Sequence, residues 1–165
     1  MNTQEFLARR DYFNMVHGVT VRAIGVFSDD ELGYRPQPNM RTPRELVFHI
    51  YSQEKFLAEA ARDGRLTIDA ANASNPEDQS AARELSQLRT VSEAQRFATT
   101  CHQAAEDIVR AMSEGDLGRP VESPMGTYPA FQFLNFAYDE HWHHRGQLYT
   151  YLRLLGKEPP MLYDY

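Results

Sequence analysis

A short segment near the end of the chain, residues 139–147, concentrates side chains that could do chemistry, since it holds three of the six histidines beside two acids. At about 100° per residue, a helix through this segment places His144 in the middle of its apolar stripe, with Glu140 and His141 on the two margins. Ionisable groups on a core-facing stripe are costly unless they are paired, hydrogen-bonded or bound to a metal ion. The segment therefore predicts a buried polar site.

His49 is the natural complement, because it lies on the predicted inward face of an earlier helix, between Leu46 and Ile50. Helical bundles build metal sites from side chains of facing helices, and imidazoles with one carboxylate suit zinc, nickel or ferrous iron.

Residues three or four positions apart on a helix can reach one ion, so His144 can act together with Glu140 or with His141. Angular position does not choose between these two residues. We predict one divalent metal ion (zinc, nickel or iron) held by His49, His144 and either Glu140 or His141.

The same residues also have a structural interpretation. A single inward histidine is more often a hydrogen-bonded core residue than a ligand, and a histidine-rich run can be the solvated flank of a helix. An inward histidine on one helix together with an inward histidine and carboxylate on another favours the metal. Gln53, one turn after His49, could bind a ligand or serve packing equally well, whereas His17 and His102 have no convergent partners in the sequence and receive no role.

Four helices must position these residues, and two of their starts are well marked. Thr42 with Glu45, and Thr90 with Glu93, have the spacing of capping boxes. Glycines and prolines in residues 117–127 predict a loop or small hairpin, and a short helix is expected near residues 78–88. We predict an all-α fold, a four-helix bundle that forms one domain over residues 1–165. The predicted helices cover residues 3–27, 43–63, 90–115 and 129–155.

Composition excludes several function classes. The formal net charge is −6 and the basic residues are scattered, which disfavours a nucleic-acid partner. No apolar run is long enough to span a bilayer, and the N-terminus lacks the features of a secretory signal. Cys101 is the single cysteine, as expected in a reducing compartment. We therefore expect a cytoplasmic protein without a membrane or nucleic-acid partner.

Several stretches of this sequence resemble the DinB/YfiT-like superfamily of metalloenzymes, in order and spacing, over essentially the whole chain. The run HHRGQL, followed by YLRLLG, is the stretch most specific for this superfamily. The stretches are LGYRP at residues 32–36, RTPRELVFHI at residues 41–50, HHRGQL at residues 143–148, and YLRLLG at residues 151–156 followed by Pro159 and Pro160.

The resemblance implies a four-helix bundle, usually a homodimer, with a divalent metal held by three histidines. One of these lies on the second helix, and the other two are four residues apart on the last. His49 matches the first position and His144 the third, but the middle position is Glu140. The resemblance thus implies either a site of two histidines and one carboxylate, a site completed by His141, or a weakened site.

The implied function is that of a metal-dependent enzyme acting on a small-molecule substrate. Relatives of this fold are linked to transfer or isomerisation with low-molecular-weight thiols such as bacillithiol or mycothiol, which makes a thiol cofactor and thiol-transferase activity the first expectation. The same metal could activate water for hydrolysis, with Glu140 as general base if it is not a ligand. The alternative is a non-catalytic dimeric bundle with a degenerate metal site, serving as a stress-response or interaction module.

Overall fold

The structure, a computed structural model, describes residues 3–163 and consists mainly of helices. The ends of the predicted domain, residues 1–2 and 164–165, lie outside the described residues. Four long helices form a bundle, so the all-α prediction is confirmed. The helices are α1 (Thr3–Ile24), α2 (Pro43–Asp63), α3 (Ile68–Asn72), α4 (Ala82–Leu85), α5 (Val91–Ala111), α6 (Glu114–Gly118) and α7 (Ala130–Leu154). Two 3₁₀ turns cover Asp30–Gly33 and Gln79–Ala81.

Both predicted capping boxes are present. The Thr42 hydroxyl accepts a hydrogen bond from the backbone N–H of Glu45, and the Glu45 carboxylate accepts one from the backbone N–H of Thr42. Thr90 and Glu93 form the same reciprocal pair at the start of α5. These bonds satisfy N–H groups that the first helical turn leaves without a partner. Because α2 carries His49, its fixed start also fixes the height of that histidine in the bundle.

The predicted boundaries differ from the structure at two helix ends. The first helix ends at Ile24 rather than at residue 27, because Gly25 is a poor helix former and the chain tightens there, with Val26 N–H bonding to the carbonyl of Ala23. The predicted helix 90–115 is divided into α5 and α6. Ser113 accepts a hydrogen bond from the backbone N–H of Asp116 and so begins a new helix.

The predicted hairpin is present after α6. Strand β1 (Pro120–Ser123) pairs antiparallel with β2 (Gly126–Pro129), and their register places Val121 opposite Tyr128. The hairpin is also bonded to the chain that leaves α2, since Leu66 donates its N–H to the carbonyl of Glu122 over 2.7 Å. The hairpin is therefore held beside the end of α2.

The core of the bundle consists of two hydrophobic clusters with a polar layer between them. In one cluster α1 and the turn after it contribute residues 19–27, and α7 contributes residues 148–152; in the other these helices contribute Phe6 and residues 130–137. Helix α2 packs against both α5 and α7 and passes through both clusters. The buried histidines and acids lie at the intermediate height. Within the described residues, no helix combines the length and the hydropathy that a membrane span requires.

Candidate metal centre

Three of the four predicted ligands lie together in the polar layer. His49 of α2 and His144 of α7 approach with ring centroids 4.9 Å apart. The carboxylate oxygen Oε2 of Glu140 lies 3.2 Å from Nε2 of His144 and 3.6 Å from Nε2 of His49. Among the described residues, these are the side chains whose ligand atoms converge as a metal site requires, all within 4.8 Å of one another. We call His49, Glu140 and His144 the outer cluster.

The two imidazoles of the outer cluster are oriented by bonds on their far sides. Nδ1 of His49 donates to the backbone carbonyl of Ser74 over 2.8 Å, and Nδ1 of His144 donates to Oε1 of Gln147 over 2.8 Å. An imidazole with its proton on Nδ1 has a lone pair on Nε2, which is the form that binds metals. Both lone pairs face the same carboxylate oxygen, so the donor set fits a divalent ion such as zinc, nickel or iron.

The Glu140 carboxylate is held in its ionised form. In the metal-free site, His144 and then His49 hold the pKa of Glu140 far below its ordinary value by donating Nε2–H to its carboxylate when the ring carries a second proton, although partial burial opposes them. A general base works best when its pKa is close to the working pH. Glu140 therefore has the character of an anionic ligand rather than of a general base.

His141, which the sequence left as an alternative to Glu140, points in a different direction. It is fully buried, and its Nε2 lies 2.8 Å from the hydroxyl of Thr20 on α1. Burial lowers the pKa of His141 to about 3, so its ring is neutral. Sequence spacing could not separate the two residues, but the packing of α1 against α7 does so. Glu140 lies on the α2 side of α7, and His141 lies on the α1 side.

A cavity of about 320 Å³ opens directly beside the outer cluster. His49 and Glu140 form part of its wall, together with Gln53, whose Oε1 is buried and has no hydrogen-bond partner among the described residues. The apolar part of the wall comes from α2, α3, α7 and the connections between helices. Its residues are Phe56, Leu57, Leu66, Ala71, Met125 and Phe136.

Sequence reasoning missed the residues that orient the two histidines. Gln147 could have been identified, because it lies three residues after His144 on the same helix and so shares its face. Ser74 gave no such signal. Ser74 lies in an irregular polar segment, and only the tertiary structure brings that segment next to His49. The hydrogen bond is made by the backbone carbonyl of Ser74 and not by its side chain.

A second group of ionisable residues is buried in the polar layer and was also missed. The guanidinium of Arg10 and Nδ1 of His102 both donate to Oε1 of Glu54, over 3.0 and 2.9 Å. The ring of His17 stacks on that of His102 at 3.7 Å, and Glu106 accepts from Arg10 as well. We call Arg10, His17, Glu54 and His102 the inner cluster. It joins α1, α2 and α5.

The electrostatics of the inner cluster are those of a compensated buried charge. Burial alone would raise the pKa of Glu54, but the hydrogen bond from His102 and the charges of His102 and Arg10 outweigh it and lower that pKa to about 2. Burial, with a contribution from His102, lowers the pKa of His17 to about 3. Glu54 is thus ionised and His17 neutral.

Comparison with known proteins identifies relatives of this fold. The family model described as the DinB superfamily matches residues 12–148. The crystal structure of a DinB-like protein from Bacillus subtilis is similar, with a TM-score of 0.69 and 22% identity over 89% of this chain and 91% of that one. The structure of the mycothiol-dependent maleylpyruvate isomerase has a TM-score of 0.67 at 16% identity; it covers 90% of this chain, which spans 63% of the isomerase. A search of the curated proteins found no match.

Proposed function

Because this chain belongs to the DinB superfamily, we propose that it is a metal-dependent enzyme whose outer cluster holds one divalent ion. One observation carries the proposal: two imidazoles, each fixed through Nδ1 to a protein oxygen, turn Nε2 toward a single oxygen of Glu140. Fixing a histidine in this way is how proteins orient metal ligands. The ligand set is His49, Glu140 and His144, with Glu140 in place of a third histidine.

We further propose that the enzyme transfers or isomerises a small electrophile with a low-molecular-weight thiol. The similarity to the mycothiol-dependent isomerase supports a thiol. A divalent ion held by His49, Glu140 and His144 would supply Lewis acidity, which favours the deprotonated and nucleophilic form of a thiol.

The chain's own residues contribute binding and orientation. Leu57 and Phe136 line the cavity beside His49 and limit the access of water to it. The unpaired Oε1 of Gln53 can accept a hydrogen bond from a bound molecule and so orient it. Glu140 is ionised and contributes negative charge at Oε2. Its lowered pKa makes it unsuited to act as a general base, which needs a pKa close to the working pH.

A non-catalytic bundle is the second candidate, and one observation favours it. Oε2 of Glu140 lies 3.2 Å from Nε2 of His144, so a protonated imidazole could pair with the carboxylate directly and satisfy the outer cluster without metal. The chain would then act as a structural or interaction module. Under that interpretation, neither metal nor thiol would affect the protein.

Metal analysis of protein purified without a histidine tag separates the two candidates. We expect one equivalent of zinc, nickel or iron per chain after reconstitution, and its loss in His49→Ala. His143→Ala is the matched control, because His143 is an exposed neighbour on α7 and should leave the stoichiometry unchanged. Thiol consumption with a panel of electrophiles should then require the metal. Absence of a bound ion after reconstitution with all three metals would overturn the metal-dependent enzyme and favour the non-catalytic bundle.

We also propose that the chain acts as a single-domain homodimer in the cytoplasm. Tyr12 and Met15 expose 43% of their surface on α1, and Tyr12 contacts the ring of Trp142 on α7. Exposed apolar side chains of neighbouring helices are suited to an interface between two copies. Light scattering during gel filtration measures the mass, and a monomer at micromolar concentration would contradict the homodimer.

A further inference from the structure

The cavity beside the outer cluster has a wall whose charges restrict what it can bind. Among its lining residues are Asp139 and Glu140, and there is no lysine or arginine. Asp139 is exposed and makes no ion pair or hydrogen bond with the described residues, so its charge faces the cavity mouth uncompensated. Like charges near an apolar wall repel each other more strongly than they do in water.

The basic residues of α7 lie on another side of the helix. Arg145 stacks over the ring of Trp142 at 4.9 Å, and Arg153 lies 5.9 Å from the ring of Tyr149. Both arginines line a separate groove with the chain that follows α7. Helix α7 thus presents acids to the cavity and cations to the opposite groove.

The charged groups of the cavity wall are hydrogen-bond acceptors. The buried Oε1 of Gln53 has no donor among the described residues, and the carboxylates of Asp139 and Glu140 accept only. In the metal-free protein, an anionic group placed here would meet two carboxylates and no lysine or arginine, and the neutral amide of Asn75 would not offset their charge. Six apolar side chains line the wall together with His49, Ser74 and Asn75, and a volume of about 320 Å³ is that of a small-molecule site.

From these observations we infer that the cavity takes an uncharged, largely apolar small molecule and excludes anionic ones. This inference rests on the proposed function, which places the reacting group at the outer cluster. It adds to that function the chemical class of the substrate. Asp139 is the specificity-determining residue that repels anions. Carboxylates and phosphates, the commonest charged groups of metabolites, are thereby rejected at the cavity mouth.

Two fluorescent probes that differ by one sulfonate test the inference without a known substrate. N-phenyl-1-naphthylamine is neutral, and 8-anilinonaphthalene-1-sulfonate is its anionic counterpart. We expect the neutral probe to bind at least tenfold more tightly in metal-free protein, where no bound cation offsets the charges of Asp139 and Glu140. Equal affinities, tighter binding of the sulfonate, or no binding of the neutral probe would overturn the inference.

Substitutions establish that the discrimination arises in this cavity. Asp139→Lys should strengthen sulfonate binding roughly three- to tenfold and change neutral-probe binding less than twofold. Asp107→Lys, the same change of charge on an exposed residue of α5, should alter neither affinity by more than twofold. Ala71→Trp should fill the cavity and weaken the neutral probe at least tenfold, whereas Ala111→Trp should not. Unchanged probe affinities in Asp139→Lys or Ala71→Trp would overturn the assignment.

The probes also separate the inference from the proposed function. If the protein binds no metal but still prefers the neutral probe in an Asp139-dependent way, the proposed enzyme fails and the ligand class stands. If metal binds and the probes show no preference, the ligand class fails and the metal site stands.

Discussion

The polar layer contains two histidine–glutamate groups, the outer cluster and the inner cluster, which differ in burial and in the partners of the glutamate. In the outer cluster, two imidazoles point at one oxygen of Glu140, whose side chain is 39% exposed at the edge of a cavity. In the inner cluster, Glu54 is 1% exposed and receives hydrogen bonds from Arg10 and His102.

The difference shows what distinguishes a ligand site from a structural one. The inner cluster already contains its cation, the Arg10 guanidinium, so Glu54 has its countercharge within the protein. The outer cluster has no arginine or lysine within salt-bridge distance among the described residues, and it has an open side. A group of metal-ligand atoms that has no cationic side chain beside it and borders a cavity is suited to binding a cation from solution.

Neutralising the glutamate of each cluster should give the largest difference between them. Glu54→Gln leaves Arg10 buried without full compensation, which should lower the free energy of unfolding by about 3 kcal/mol. Glu140→Gln in metal-free protein should change it by less than about 1 kcal/mol, because this carboxylate is partly exposed. Urea denaturation measures both values. Equal losses in the two variants would refute the division of roles.

Metal affinity should distinguish the clusters in the opposite sense. His144→Gln should weaken zinc binding by more than about 100-fold, since the loss of a ligand exceeds the 10- to 100-fold cost of losing a residue that orients one. His102→Gln, the same substitution in the inner cluster, should leave the affinity unchanged. Competition with a chromogenic chelator provides the measurement, and equal weakening in both variants would contradict the outer cluster as the metal site.

The residue that orients His144 should have a smaller effect than His144 itself. Gln147→Leu removes the acceptor for Nδ1–H and should weaken zinc binding by about 10- to 100-fold while one ion per chain is still bound. Thr150→Val is a suitable control, because Thr150 lies three residues further along α7, and its hydroxyl bonds only to its own helix, at the carbonyl of Gly146. Wild-type affinity in Gln147→Leu would show that the bond does not support the site.

The inner cluster should also make folding sensitive to acid. The pKa of His17 is about 3 in the fold, so below pH 6.5 the unfolded chain binds a proton that the folded chain does not. Stability therefore falls as pH decreases from about 6.5 towards 3. Between pH 7 and 5.5 the metal-free wild-type protein should lose about 1 kcal/mol more than His17→Phe, measured by urea denaturation. Parallel losses would show that His17 titrates normally in the fold.

The sequence predicted the outer cluster better than the inner one, and the reason is geometric. His144 and Glu140 belong to one helix, where spacing fixes relative position, and the capping box at Thr42 marks the start of the helix that carries His49. Arg10, Glu54 and His102 come from three helices, and no local pattern reports that they converge. Helix α3 was missed because it lies in the polar, irregular stretch after α2, and the separate start of α6 at Glu114 was missed because the predicted third helix continued through it to residue 115.

The cavity wall opposite the histidines has a consequence for how proteins of this architecture diversify. Leu66 belongs to the connection after α2 and Met125 to the turn of the hairpin; that connection is hydrogen-bonded to strand β1 of the hairpin, and neither segment is part of the four long helices. Changes in those two connections would remodel the ligand chamber while the helices that carry the outer cluster kept their packing. New specificities could thus arise by loop replacement at little cost in stability, with the outer cluster inherited intact.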